Sequence, residues 1–170
     1  MRLIKLNGVI EFDDAYFGGS TAGKKRGRGT ERAKVFVALF LDELGNPRFL
    51  KMKVMPNLKQ ASVKKFAHTA FADSSVIHSD SYRSYIPALE SYTHEHRSYD
   101  PDFGLLHWLH IVISNAKAFI LGTYHGLPKK YLQSYLVEYS FHFSRRSFGW
   151  VLVERLALSI VLSRSAEQKG

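Results

Sequence analysis

The most informative stretch of the chain is Glu11-Phe12-Asp13-Asp14-Ala15-Tyr16-Phe17-Gly18-Gly19, which carries two adjacent carboxylates and then breaks into glycine. Residues 6–12 have the aliphatic and aromatic content of a half-buried strand, and we expect this strand to end on the two aspartates. Because ionised aspartate is depleted in strands and costly to bury unpaired, a divalent metal ion is one way to make this placement favourable. The alternative is that Asp13 and Asp14 open a turn before the glycines, which is a common role for aspartate.

A second short run of the same kind, Ser75-Val76-Ile77-His78-Ser79-Asp80, also finishes on an aspartate. Two strands that end in aspartate suggest one shared metal site. Magnesium usually takes one or two carboxylates together with waters and substrate phosphates, so the pair suits phosphodiester chemistry. The alternative for Asp80 is an N-cap on a helix that begins near Tyr82, and one residue can fill both roles.

The composition is that of a basic globular protein. The chain has 170 residues, of which 45% are hydrophobic, and a formal net charge of +9. We therefore expect one domain over residues 1–170 and a polyanionic partner, most often nucleic acid. The absence of cysteine excludes disulfides and cysteine-ligated zinc. No segment resembles a signal peptide or a membrane span, so we expect a cytoplasmic, nucleoid-associated protein with no membrane partner.

The order of the elements follows from hydrophobic periodicity. We expect strands at residues 6–12, 35–41 and 48–55, a helix at 58–70, a strand at 75–80, a short helix at 82–89 and a brief strand at 94–99, followed by about three helices from residue 105 onward. The fold class is α/β: a three-stranded meander, then a helix and a parallel strand, in a mixed sheet with helices on its faces and a helical C-terminal third. This is the ribonuclease H-like arrangement, in which the first and fourth strands are neighbours. Asp13 and Asp80 would then meet.

A glycine-rich basic segment occupies residues 18–34 and has no periodicity, so we expect an exposed loop. Its cations could bind the phosphates of the DNA backbone, and the affinity of such binding falls steeply as the salt concentration rises. The alternative is a solvated loop without a ligand. The candidate DNA-binding residues in it are Lys24, Lys25, Arg26, Arg28 and Arg32.

The helix expected from residue 105 has one apolar and one polar side. The apolar side carries Leu106, Leu109, Ile113, Ala116 and Ile120, and the adjacent polar side carries His107, His110, Ser114 and Lys117. His110 and Lys117 lie within ~20° of each other on the helical wheel, whereas Asn115 lies ~140° from His110. If this helix supplies a third ligand, His110 is therefore better placed than Asn115. The alternative is a structural role for His110.

Residues 9–19, 27–31, 76–85 and 106–125, taken in this order, resemble the catalytic domain of bacterial DDE-type insertion-sequence transposases, and more narrowly the ISXO-like group. The resemblance runs over residues 8–148. It implies that Asp13 and Asp80 are the first two catalytic acids and metal ligands, with Asp14 at the supporting acidic position beside Asp13. The family's third residue is Glu, or Asn in some branches, seven residues before a Lys. This chain has His110 and Lys117 at those positions.

The same resemblance implies metal-dependent DNA strand cleavage and strand transfer, with magnesium or manganese as the cofactor. The partners would be element ends and target DNA, bound by a homo-oligomer. His110 would complete a metal-ligand set and favour manganese, and Lys117 would contact a phosphate. Such transposases carry an N-terminal zinc-ribbon and helix-turn-helix region, and without cysteine we expect this chain to lack it. The alternatives are an inactive or truncated remnant that only binds DNA, and a nuclease of the same fold.

Overall fold

The computed structural model describes residues 5–18, 32–97, 104–123, 129–146 and 149. The elements in these residues are β1 (Val9–Phe17), β2 (Ala33–Leu41), β3 (Pro47–Met55), α1 (Gln60–Ala70), β4 (Val76–Asp80), α2 (Tyr85–Ala88), β5 (Thr93–Arg97), α3 (His107–Thr123) and α4 (Lys129–Arg145). The strands form one sheet in the order β3-β2-β1-β4-β5. The first three are antiparallel, while β4 pairs parallel to β1 and to β5. This topology confirms the ribonuclease H-like mixed sheet.

Strand β1 is longer than its sequence indicates, because β2 pairs with it along its whole length. The register joins Asp13 to Val37 and Asp14 to Phe36, and it continues to Phe17. The expectation that the strand ends on the two aspartates is therefore wrong, and so is the alternative that they open a turn. Because β2 begins at Ala33, the last two residues of the expected loop 18–34 also belong to the sheet.

The sheet is covered on both faces, because successive residues of a strand point to opposite sides. Ile10 and Phe12 of β1 belong to a core that includes α1 and α2. Ala15 and Phe17 belong to a second core with α3 and α4. The acidic residues in the middle of β1 therefore lie next to these helices: Glu11 is buried, and Asp13 and Asp14 are partly buried.

Helix α3 has the phase that its periodicity predicts. The apolar positions Leu106, Leu109, Ile113, Ala116 and Ile120 are all buried, and Asn115 is exposed.

The third helix expected after α4, over residues 150–162, lies outside the described residues. No helix in the described ranges has the length and apolar character that crossing a membrane requires.

Candidate active site

Strand β1 carries the acidic residues at the point where its parallel partner stops. Strand β4 pairs with β1 from Val9 opposite Val76 to Phe12 opposite Ser79. The next residues along the two strands are Asp13 and Asp80. Because paired residues of parallel strands point to the same face, these two carboxylates share the face covered by α3. The strand pairing thus brings the two predicted acids to neighbouring positions.

Asp14 lies on the other face of β1, away from α3. Its Oδ1 accepts a 2.6 Å hydrogen bond from the Tyr85 hydroxyl, while its backbone N–H donates to Oδ1 of Asp13 at 2.7 Å. Asp14 is therefore bound to the core that holds Tyr85, and its backbone N–H also contacts Asp13. In this position the Asp14 side chain bonds to Tyr85, on the opposite face of the strand from Asp13.

His110 approaches the site from α3. Its Nε2 lies 3.6 Å from Oδ2 of Asp13, and the two side chains are 37% and 16% exposed. The Asp13 carboxylate raises the pKa of His110 above its ordinary value, with smaller contributions from Glu11 and Asp80, while burial opposes the shift. In this arrangement His110 is favoured in its protonated form, as the cationic partner of Asp13.

Lys117 lies two turns farther along the same side of α3. Its ammonium nitrogen is 5.7 Å from the centre of the Phe17 ring, on the β1 face that also carries Asp13. Burial lowers the pKa of Lys117, and the nearby Arg32 guanidinium lowers it further. The positive charge of Arg32 therefore acts on Lys117, and both cations belong to the region beside Phe17.

Asp80 ends β4 and shapes the chain that follows. Its Oδ1 accepts a 3.0 Å hydrogen bond from the backbone N–H of Tyr82. This bond forms a turn rather than a helix cap, because α2 begins only at Tyr85. The short helix expected over residues 82–89 is therefore reduced to four residues. One Asp80 oxygen is engaged in this turn while its carboxylate still acts on His110.

Glu11 is a buried acid that the sequence reasoning did not single out. It is 6% exposed, and its Oε2 accepts a 2.7 Å hydrogen bond from the backbone N–H of Leu109 in the first turn of α3. Burial raises the pKa of Glu11, although the Leu109 N–H and the nearby His110 and His107 oppose the shift. A glutamate between two apolar residues of a core strand is the sequence signal that could have identified it.

The fit of a divalent metal rests on the chemistry of these donors. Asp13 and Asp80 provide the one or two carboxylates that magnesium usually takes from a protein, and His110 provides a nitrogen ligand. In the described part of the chain, no group of three or more acidic or histidine side chains is arranged to hold a metal ion. By residue type, the two carboxylates are donors that a divalent cation accepts, while the His110 imidazole contacts Asp13.

Of the five candidate DNA-binding residues in the basic loop, the structure describes Arg32, which is half-buried and directly precedes β2. The other predicted DNA contacts, Lys24, Lys25, Arg26 and Arg28, lie outside the described residues. Their participation stays a prediction from the sequence.

Comparison with known proteins gives the family. A cryoEM structure of the simian T-cell lymphotropic virus intasome in complex with PP2A regulatory subunit B56 gamma is similar to this chain, with 12% sequence identity and a TM-score of 0.43. The match covers 78% of this chain and 48% of that one, so this chain spans about half of its length. No curated protein sequence matches the chain. The family model of the ISXO2-like transposase domain matches residues 5–144, which is most of the sequence, and the chain therefore belongs to the ISXO2-like transposase domain family.

Proposed function

We propose that this chain is the catalytic part of a DNA transposase that cleaves a DNA strand and transfers the cut end with the help of a divalent metal ion. The observation that carries the proposal is the neighbouring position of Asp13 and Asp80 on parallel strands, with His110 facing Asp13. Membership of the transposase family supports the general activity. The paired carboxylates support a phosphodiester reaction in particular.

Asp13 and Asp80 would hold the cation, which we expect to be magnesium or manganese. A bound divalent cation supplies stabilisation for the negative charge that develops on the attacking and leaving oxygens of a phosphodiester. His110 can join the ligand set only when it is neutral, because a protonated imidazole has no free lone pair. Deprotonation of His110 and its release from Asp13 would then accompany metal binding.

DNA would lie along the open side of this site. Lys117 and Arg32 are both cationic and interact electrostatically, so we expect them to contact backbone phosphates on the same part of the DNA. The basic loop with Lys24, Lys25, Arg26 and Arg28 would extend this contact along the backbone. The partners are element ends and target DNA, and we expect the chain to act as a homo-oligomer when it holds them.

A second candidate is a DNA-binding domain that has lost its chemistry. The observation that favours it is the contact between His110 and Asp13, because the raised pKa of His110 favours the cationic imidazole, which would compete with a metal ion for Asp13. In that case DNA binding would remain without cleavage.

The test is a DNA cleavage and joining assay with purified protein and a labelled duplex or supercoiled plasmid, in magnesium or manganese. Asp13→Asn and Asp80→Asn should each reduce cleavage by about 10²-fold or more. The matched control is Asp73→Asn, since the Asp73 side chain is 95% exposed, and it should cleave like the parent. Joined products support a transposase, and cleavage without joining supports a nuclease. DNA binding without cleavage in either metal supports the second candidate.

A further inference from the structure

The start of α3 is preceded by a turn in which the His107 N–H donates a 3.1 Å hydrogen bond to the Gly104 carbonyl. The residue before the helix is Leu106, whose side chain has no hydrogen-bond acceptor, and the first turn contains no acidic residue. Leu106 is buried and has a φ of 57°, in the left-handed region that leucine rarely adopts. Neither Leu106 nor the first turn of α3 supplies a carboxylate acceptor, so a contact from elsewhere in the fold can fill that role.

Glu11 supplies the missing acceptor from β1. Its Oε2 lies 2.7 Å from the Leu109 backbone nitrogen in the first turn, although the two residues are 98 positions apart. The first-turn N–H groups of a helix have no partner within the helix, and a carboxylate also interacts favourably with the positive end of the helix dipole. Glu11 thus acts as a helix cap that crosses from the sheet to α3.

This cap lies directly beside the contact between α3 and the proposed catalytic acid. Leu109 precedes His110 on α3, and Glu11 lies two residues before Asp13 on the same face of β1. The two elements are therefore joined by two adjacent polar contacts, Glu11 to Leu109 and Asp13 to His110. A rotation or shift of α3 by a fraction of a turn would break the first contact and move His110 relative to Asp13.

We propose that Glu11 is a positioning residue that fixes the first turn of α3, and so sets where His110 stands over the Asp13 and Asp80 pair. The inference rests on the proposed function, because it assigns Glu11 a part in the geometry of that site. Glu11 is a buried partner of the helix backbone in this role, and Asp13 and Asp80 remain the residues that would hold the cation.

The test compares Glu11→Gln with Glu11→Leu. Glutamine keeps an oxygen that can accept the Leu109 N–H bond, whereas leucine keeps approximate size without any acceptor. In Glu11→Leu the exchange of the Leu109 amide with solvent should accelerate about tenfold or more. The maximal cleavage rate should fall about 10²-fold while the KM for DNA stays within about threefold, since misplacement of reacting groups affects the chemical step. Glu11→Gln should restore both properties to within about fivefold of the parent. Exposed Glu90→Gln is the matched control.

Three outcomes would overturn the positioning role. One is an unchanged Leu109 amide in Glu11→Leu. A second is a Glu11→Gln variant that loses cleavage while Leu109 remains protected, which would mean that the charge of Glu11 acts on the cation or substrate directly. The third is equal loss of amide protection throughout the sheet and α3, which would indicate general destabilisation. If the parent itself cleaves no DNA, the proposed function fails, and the Leu109 exchange rates of the two variants still decide whether Glu11 fixes the helix.

Discussion

The hydroxyl of Tyr85 donates a 2.6 Å hydrogen bond to Oδ1 of Asp14, and this bond joins the segment after β4 to the middle of β1. Tyr85 is completely buried, and its ring centre lies 4.9 Å from that of Phe12. Burial and the nearby carboxylates of Asp14, Asp13 and Asp80 raise the pKa of Tyr85 well above 10.0. The hydroxyl therefore stays protonated at neutral pH and ties together the two backbone segments that carry the proposed ligands.

Tyr85→Phe should lower the free energy of unfolding by about 1.5–3 kcal/mol, because it removes a hydrogen bond to a charged group. Denaturant unfolding measures this change, and the exposed Tyr131→Phe should stay within about 0.5 kcal/mol of the parent. Since the folded-state pKa of Tyr85 is raised, its contribution is complete below its unfolded pKa near 10.0 and is lost as the pH rises through the higher folded value. An unchanged stability in Tyr85→Phe would show that the bond contributes nothing.

The contact between His110 and Asp13 predicts a pH dependence of stability. Because the pKa of His110 is raised above 6.5 in the folded protein, its stabilising contribution is complete below 6.5 and is lost as the pH rises through the folded value. In metal-free buffer, the parent should therefore lose more stability than His110→Gln between about pH 6 and about pH 8.5. Parallel stability curves for the two proteins would contradict this prediction.

Much of the fold can be predicted from the sequence because its elements have clear periods. The continuous apolar run of β2, the β-branched residues of β4 and the apolar stripe of α3 through Leu109 and Ile113 identify these elements and the side of α3 that packs on the sheet. The strand order is inferred from the order of the elements along the chain. The position of Asp13 beside Asp80 follows once the first and fourth strands are paired. His110 and Lys117 share a helix face for the same geometric reason.

The contacts that hold the site together could not be predicted in the same way. Strand β1 continues beyond Asp14 because β2 supplies hydrogen bonds as far as Phe17, and that pairing is absent from local sequence preferences. Glu11 and Tyr85 bind partners 98 and 71 positions away, which no local pattern reveals. The sequence predicts a helix that begins near Tyr82, but the chain forms a turn there. In this turn the Asp80 carboxylate accepts a hydrogen bond from the Tyr82 backbone N–H.

Gln133 of α4 bonds to the backbone at the outer edge of the sheet. The Gln133 side-chain oxygen accepts a 2.7 Å hydrogen bond from the Val54 backbone N–H, and its amide nitrogen donates to the Met52 carbonyl at 3.2 Å. One side-chain amide thus substitutes for a neighbouring strand at the terminal strand β3. Gln133→Leu should destabilise the protein by about 1–2 kcal/mol and accelerate exchange of the Val54 amide, whereas exposed Ser134→Ala should change neither. If Val54 exchanges at the parent rate in Gln133→Leu, the amide is protected by something else.

The basic loop predicts a strong salt dependence of DNA binding. Replacement of Lys24, Lys25, Arg26 and Arg28 by alanine should reduce the slope of log affinity against log salt by about 0.9 for each phosphate that the loop no longer neutralises. Filter binding or fluorescence anisotropy over a range of salt concentrations measures this slope. Lys64 and Lys65 lie on the exposed side of α1, and alanine at both positions is the control. If the control flattens the slope and the loop variant does not, the main DNA surface lies on α1.

The identity of the third residue predicts the metal preference. If the neutral His110 imidazole ligates the cation, strand cleavage should be faster with manganese than with magnesium, because nitrogen ligands suit transition metals better. His110→Glu should restore cleavage with magnesium, since it supplies a third hard oxygen donor, and His110→Ala should lose cleavage about 10²-fold while retaining nonspecific DNA binding. The exposed Asn115→Ala is the control on the opposite side of α3 and should cleave like the parent. Cleavage by His110→Ala at the parent rate would exclude His110 as a ligand, and loss of cleavage in Asn115→Ala would mean that another side of α3 faces the metal during the reaction.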